Sequence, residues 1–331
     1  MKEILNHLFE YKTLTKEEAK AILTDISQGK YTHVQIASFL TVYMMRSITV
    51  AELAGFRDAM LELCLATDLS EYDPMDVCGT GGDGKDTFNI STLASFVVAG
   101  AGQPVVKHGN YGVSSACGSS TVMEYLGYKF TNDKDSLRRQ LDRSGICFLH
   151  APLFHPAMKN VAPVRKELGV RSFFNMLGPM INPAFPKKQM VGVFSLELAR
   201  LYAYLYQQTD KQFVILHALD GYDEISLTGG VKMISDREEQ VVQPEEMHLP
   251  TLSAESLYGG HTVEEAAHIF MNVLNGQGTP AQQAAVAANA GMALYTARPS
   301  LSLPEAVLTA RESLDSGKAL QSFRSFMSAN T

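Results

Sequence analysis

Residues 79–92 read Gly79-Thr-Gly-Gly-Asp-Gly-Lys-Asp-Thr-Phe-Asn-Ile-Ser-Thr92, and the apolar run Leu93-Ala-Ser-Phe-Val-Val-Ala-Gly100 follows without a break. Closely spaced backbone N–H groups, hydroxyls and a lysine come with few bulky side chains to block an approach. Asn89-Ile-Ser-Thr92 places polar groups at the start of a helix. Such helix starts attract anions, so the stretch predicts a phosphate loop leading into a buried helix. Gly79, Gly84 and Lys85 have Walker A spacing, but Asp86 stands where Ser or Thr must bind magnesium. A carboxylate there repels phosphate, which speaks against a P-loop NTPase.

A second loop follows closely: Lys107-His-Gly-Asn-Tyr-Gly-Val-Ser-Ser115, preceded by the apolar Pro104-Val-Val106. Lys107 and His108 are therefore expected to emerge at a strand end. Ser119 or Ser120 is the expected N-cap of an apolar helix at Val122–Leu126. Two such loops suit a ligand with more than one phosphate cluster. Around them, the apolar segments Pro104–Val106, Ile146–Leu149, Met190–Phe194 and Phe213–Leu216 alternate with helical patterns at Leu93–Ala101, Leu196–Gln208 and Val263–Leu274. That alternation predicts a mainly parallel sheet covered by helices, with ligands at the carboxyl ends of its strands. Charged strand-like sequence over Asp210–Glu246 predicts an antiparallel edge.

Upstream the pattern is purely helical. Thr15-Lys-Glu-Glu18, Thr32-His-Val-Gln35 and Thr49-Val-Ala-Glu52 fit the capping box, and apolar residues at helical spacing follow each. The composition changes at Asp73-Pro74, an expected hinge. The chain of 331 residues is 46% hydrophobic with a net charge of -7, which speaks against a nucleic-acid binder held by broad phosphate neutralisation. No apolar run is long enough to span a membrane, the N-terminus lacks a signal-peptide core, and Cys64, Cys78, Cys117 and Cys147 show no Cys-x-x-Cys spacing. A cytoplasmic enzyme is the resulting expectation.

Two further groups carry chemistry. Asp223 and Glu224 lie in Asp220-Gly-Tyr-Asp-Glu-Ile-Ser226, after the strand at Phe213–Leu216, where oxygen ligands and phosphates together would hold magnesium. Arg165, Lys166 and Arg171 form a basic cluster in an acidic chain. A guanidinium matches a carboxylate, so a small acidic substrate is one reading of the cluster, and surface pairing with Glu167 is the other.

Taken in order, these motifs resemble the anthranilate phosphoribosyltransferase family over nearly the whole chain. The resemblance rests on Gly-Thr-Gly-Gly-Asp with Asn-Ile-Ser-Thr, Lys-His-Gly-Asn, Val-Arg-x-Glu-Leu-Gly-x-Arg and Asp-Gly-x-Asp-Glu. It implies a small N-terminal all-helical domain (1–70, joined by helices from about 156–185) hinged to a larger α/β domain (74–331) with a mainly parallel central sheet. It implies a homodimer formed through the helical domain, and transfer of the 5-phosphoribosyl group from phosphoribosyl pyrophosphate to anthranilate in tryptophan biosynthesis. Carried over by motif, Gly79, Gly82, Asp83, Thr87, Asn89, Ile90, Ser91, Thr92, Lys107, His108, Gly109, Asn110, Tyr111, Gly112, Val113, Ser114, Ser115 and Ser119 would bind phosphoribosyl pyrophosphate. Ser91, Asp223 and Glu224 would hold Mg²⁺. Gly79, Asn110 and Arg165 would contact anthranilate, which would enter between the domains. His108 is the candidate catalytic group. Tyr111 stands where the family usually has Arg, and Gly118-Ser-Ser-Thr121 replaces its usual Gly-Ser-Ala-Asp. A pyrimidine nucleoside phosphorylase and a non-catalytic nucleic-acid-binding relative are the alternatives.

Overall fold

The computed structural model describes residues 1–112 and 118–329. It divides into two compact units, Met1–Thr67 with Ala151–Pro183, and Asp68–His150 with Ala184–Thr331.

In the first unit, helices Lys16–Ser27, His33–Met45 and Val50–Glu62 each start at a threonine that closes a reciprocal capping box, Thr15 with Glu18, Thr32 with Gln35 and Thr49 with Glu52. Two otherwise unpaired N–H groups are satisfied at each start, which is why the sequence marks these boundaries well. Glu52 also serves the interior. It is fully buried and accepts from Arg46 at 2.5 Å, the Tyr43 hydroxyl at 3.1 Å and the Leu14 amide at 3.0 Å. Surrounding donors offset the cost of burying that carboxylate. Phe39, Tyr43 and Phe56 form an aromatic cluster with Phe173, whose ring stacks on Phe56 at 4.3 Å between centroids. Phe173 comes from the 151–183 segment, so this cluster ties the inserted segment to the N-terminal helices.

The second unit is built on β1 (Met75–Gly79), β2 (Val105–Gly109), β3 (Ile146–His150), β4 (Lys188–Gly192), β5 (Gln212–Ala218), β6 (Val231–Ser235) and β7 (Glu239–Val242). Among the described residues the order is β3-β2-β1-β4-β5-β6-β7, with β1–β5 parallel and β6 and β7 antiparallel at the edge. The expected antiparallel edge is present. β1 has no counterpart among the strands read from sequence, because Asp76 and Cys78 interrupt its apolar pattern. Helix Ile90–Gly100 is buried along nearly its whole length, and its neighbours in the core come from Pro280–Ala297, Leu303–Asp315 and Lys318–Ser328. Its all-round apolar character reflects that position.

Two sequence expectations need correcting. β2 continues through Gly109, so Lys107 and His108 lie inside the strand, 2% and 6% exposed, and do not emerge at its end. They pair with Phe148 and Leu149 of β3, and polar partners from β1 make their burial possible. Helix Ser119–Tyr125 is capped by Gly118 with no side-chain bond, so neither serine is the N-cap. The Ser119 hydroxyl donates to the Asn110 carbonyl at 3.3 Å, and Ser120 Oγ lies 3.0 Å from His150 Nδ1. Among the described residues no helix is long and apolar enough to cross a membrane.

Candidate active site

β1 and β4 are neighbours, yet β1 has β2 on its other side and β4 has β5. Such a switch point opens a crevice at the carboxyl ends of the strands, and ligands of open α/β sheets bind there. The loop after β5 reaches across it. Asp223 Oδ2 accepts the Gly81 N–H at 2.6 Å, and Glu224 Oε1 accepts the Ser91 N–H at 3.1 Å, at the first turn of helix Ile90–Gly100. Asp83 returns the contact, its Oδ2 accepting the Asp223 N–H at 3.3 Å. The glycine loop and the acidic pair therefore form one structure, although more than 130 residues separate them in sequence.

Close approach explains two glycines. A Cβ on Gly79 would stand 2.5 Å from Asp223 Oδ2, and one on Gly192 would stand 1.5 Å from the Asp223 carbonyl oxygen. Only a bare backbone at the ends of β1 and β4 lets Asp223 seat over the switch point. Gly192 was not marked by sequence reasoning, since nothing local distinguishes it. Asn289 was missed for the same reason. Its buried amide accepts the Ile225 N–H at 3.0 Å and donates to the Ile225 carbonyl at 2.9 Å, fixing the backbone next to Glu224. The 257–259 segment holds the second half of the glycine loop, through Phe88 N–H to Leu257 O (3.0 Å) and Gly259 N–H to Asp86 O (2.9 Å).

Both carboxylates are pushed up from the ordinary range. Burial is the main cause for each, followed by the charge of Asp83 at Asp223 and of Asp223 at Glu224. Glu224 Oε2 is buried without a hydrogen-bond partner among the described residues. Two crowded carboxylates with an open acceptor atom fit a divalent cation, which relieves their repulsion. Among the described residues no group of three or more His, Cys, Asp or Glu could hold a metal. A cation here would depend on further oxygens, the usual situation of magnesium bound together with phosphates.

The remaining sequence-derived positions sort by depth. Gly82, Asp83, Thr87, Asn89 and Ser91 are partly exposed along the loop and helix start, whereas the side chains of Ile90 and Thr92 are buried and leave only their backbone for a ligand. Gly109, Asn110, Tyr111 and Gly112 lead out of β2; the Tyr111 hydroxyl donates to Glu124 at 2.9 Å. Val113, Ser114 and Ser115 lie outside the described residues.

Arg165 belongs to the helical unit, while Gly79 and Asn110 belong to the α/β unit. Its guanidinium lies over the Phe174 ring at 5.3 Å and donates to Asn175 Oδ1 at 3.4 Å. Among the described residues it has no carboxylate partner, so pairing with Glu167 does not account for it, and burial lowers its pKa. Lys166 and Arg171 are exposed.

Two family models match, a glycosyl transferase family helical bundle domain over residues 2–64 and the glycosyl transferase family a/b domain over residues 71–320. The chain is 60% identical to the anthranilate phosphoribosyltransferase of Cytophaga hutchinsonii over 98% of its own length and 99% of that relative. The chain belongs to the anthranilate phosphoribosyltransferase family. The Bacteroides thetaiotaomicron anthranilate phosphoribosyltransferase is 52% identical over 100% of this chain and 99% of its own. Among solved structures, the anthranilate phosphoribosyltransferase of Thermus thermophilus superposes with a TM-score of 0.91 at 34% identity, covering 98% of both chains. That of Saccharomyces cerevisiae in complex with PRPP and Mg gives 0.90 at 26% identity, covering 98% of this chain and 96% of the other. An anthranilate phosphoribosyltransferase with a helical unit and an α/β unit on a mostly parallel sheet is the architecture found here.

Proposed function

We propose that the chain transfers the 5-phosphoribosyl group of phosphoribosyl pyrophosphate to the amine of anthranilate, giving N-(5-phosphoribosyl)anthranilate and pyrophosphate, a step of tryptophan biosynthesis. The observation that carries the reading is the acidic pair locked onto the glycine loop at the β1/β4 switch point, with one carboxylate oxygen left without a partner among the described residues. In this reading Gly79, Gly82, Asp83, Thr87, Asn89 to Thr92, Lys107 to Ser115 and Ser119 belong to the phosphoribosyl pyrophosphate site, with Lys107 and His108 acting from within β2 and Ile90 and Thr92 through their backbone. Asp223, Glu224 and Ser91 hold magnesium, and Gly79, Asn110 and Arg165 take anthranilate.

Magnesium at these carboxylates would help balance the negative charge of the departing pyrophosphate. The chain's own part is largely positional. Backbone N–H groups of the glycine loop present fixed donors to phosphate oxygens, a preorganised field that strengthens as charge develops on the leaving group. The Arg165 guanidinium, held on Phe174 and without an acidic partner among the described residues, matches the carboxylate of anthranilate. Holding a weak arylamine against C1 supplies much of what the reaction needs. Once the C–N bond forms the amine proton is acidic, so a weak acceptor suffices. His108 is buried within β2, which suits it to holding the strand end more than to taking that proton.

The test is the loss of anthranilate fluorescence with phosphoribosyl pyrophosphate and magnesium present, and no loss when either is withheld. Unchanged fluorescence in the complete mixture, with release of free base from thymidine and phosphate, would replace this reading by a nucleoside phosphorylase.

A further inference from the structure

β1 and β2 carry the two loops of the site, and their pairing differs from the rest of the parallel sheet. β1–β4, β2–β3 and β4–β5 register at five successive pairs, from Met75↔Lys188 to Gly79↔Gly192, from Val105↔Ile146 to Gly109↔His150, and from Lys188↔Gln212 to Gly192↔Leu216. β1–β2 registers at Met75↔Val105. Beyond that pair, side chains occupy positions where ladder bonds would otherwise run. The His108 N–H is accepted by Asp76 Oδ1 at 3.2 Å, and the Val77 carbonyl accepts from Lys107 Nζ at 2.8 Å.

Asp76 is fully buried on β1, and its carboxylate accepts from donors on three strands. Besides His108 N–H these are Gln189 Nε2 from β4 at 3.2 Å and the Cys78 thiol at 3.6 Å, both on Oδ2. An acceptor-only group spanning donors on β2 and β4 is what an ionised carboxylate supplies and an amide cannot, since an amide turns an NH₂ toward one of them. Burial pushes the pKa of Lys107 down, and the negative charges of Asp76 and Glu224 oppose that shift. Asp76 thus meets both strands that flank β1.

We infer that Asp76 is a positioning residue: its carboxylate joins β1 to β2 at the His108 amide and to β4 at Gln189, and so sets the spacing of the two loops. This rests on the phosphoribosyl-transfer reading, because only a ligand gripped by both loops senses that spacing. It assigns Asp76 no contact with either substrate.

The test uses the full-length chain with Asp76→Asn, which keeps the size of the side chain and one acceptor but removes the charge. The KM for phosphoribosyl pyrophosphate is expected to rise at least about tenfold while that for anthranilate stays within about twofold, the split of a variant that has lost binding on one substrate only. Hydrogen exchange of the 105–112 segment is expected to speed up relative to β3 and β4. A purely structural role predicts the opposite pattern, with kcat lowered through a smaller active fraction, both KM values unchanged, and exchange rising across the sheet. That pattern, or unaltered kinetics, overturns the inference. Should Asp76→Asn fail to fold, Gln189→Met removes the β4 donor to Oδ2 from another strand. It is expected to raise the same KM by about threefold, and an unchanged value overturns the inference. A parent chain that leaves anthranilate unconsumed counts against the reaction itself, while the exchange comparison still tests the role of Asp76.

Discussion

Gly192→Ala adds one methyl group at the most crowded point of the site. Its Cβ would meet the Asp223 carbonyl oxygen at 1.5 Å, and Asp223 C and Glu224 N lie 2.6 Å and 3.5 Å away. The obstacle is backbone, so no side chain can rotate aside. To restore an ordinary van der Waals separation of 3.4 Å, the acidic loop must retreat by roughly 1.9 Å. The Gly81 contact to Asp223 at 2.6 Å and the Ser91 contact to Glu224 at 3.1 Å cannot survive such a shift. A misplacement of about 1 Å is enough to cost about 100-fold in rate, so kcat/KM is expected to fall at least about 100-fold, with the magnesium requirement displaced upward. Gly192 has no left-handed backbone angle, so alanine brings no backbone strain of its own. Steady-state loss of anthranilate fluorescence across a magnesium titration measures the effect. Gly229→Ala is the matched control, because a Cβ there meets nothing within 4 Å. If Gly192→Ala kept kcat/KM within about threefold of the parent, the acidic loop would not need its seat on β4, and Asp223 and Glu224 would not be positioned through it.

Arg165→Ala removes charge-assisted bonds worth about 1.5–3 kcal/mol, so the anthranilate KM is expected to rise on the order of 10- to 100-fold. A change confined to the phosphoribosyl pyrophosphate KM would reverse the assignment. The double variant Asp223→Asn with Glu224→Gln is expected to lower kcat and shift the magnesium titration; an identical titration curve would remove both residues from the metal site. His155 in the helical unit is buried, and burial pushes its imidazole down to about 4 from 6.5. Below 6.5 the unfolded chain binds a proton that the folded chain refuses, so stability present above that pH declines as pH falls toward 4. The loss approaches about 3 kcal/mol, and His155→Gln is expected to flatten it. Urea midpoints at pH 7 and pH 5 measure this; equal pH slopes in parent and variant would refute it.

Local rules made much of the chain legible. The three capping boxes, the run from Leu93 into the core helix and the antiparallel edge are all written within a few residues of where they act. The glycine loop and the Asp223-Glu224 pair stood out for the same reason, as chemistry concentrated in a short stretch. β1 stayed hidden because Asp76 and Cys78 are polar on a buried strand, and their partners Gln189 and His108 lie far along the chain. Lys107 and His108 gave the appearance of a strand end because a lysine and a histidine rarely lie inside a sheet.

Neighbouring residues alone marked the capped helices, most of the strands and the glycine loop, since period, capping and backbone freedom are local properties. Only the folded chain brings Gly192 and Asn289 under the acidic loop and lets the side chains of Asp76 and Lys107 bond between β1 and β2. Those roles depend on which atoms approach within bonding or contact distance across thirty or more residues of chain, and no local pattern encodes such an approach.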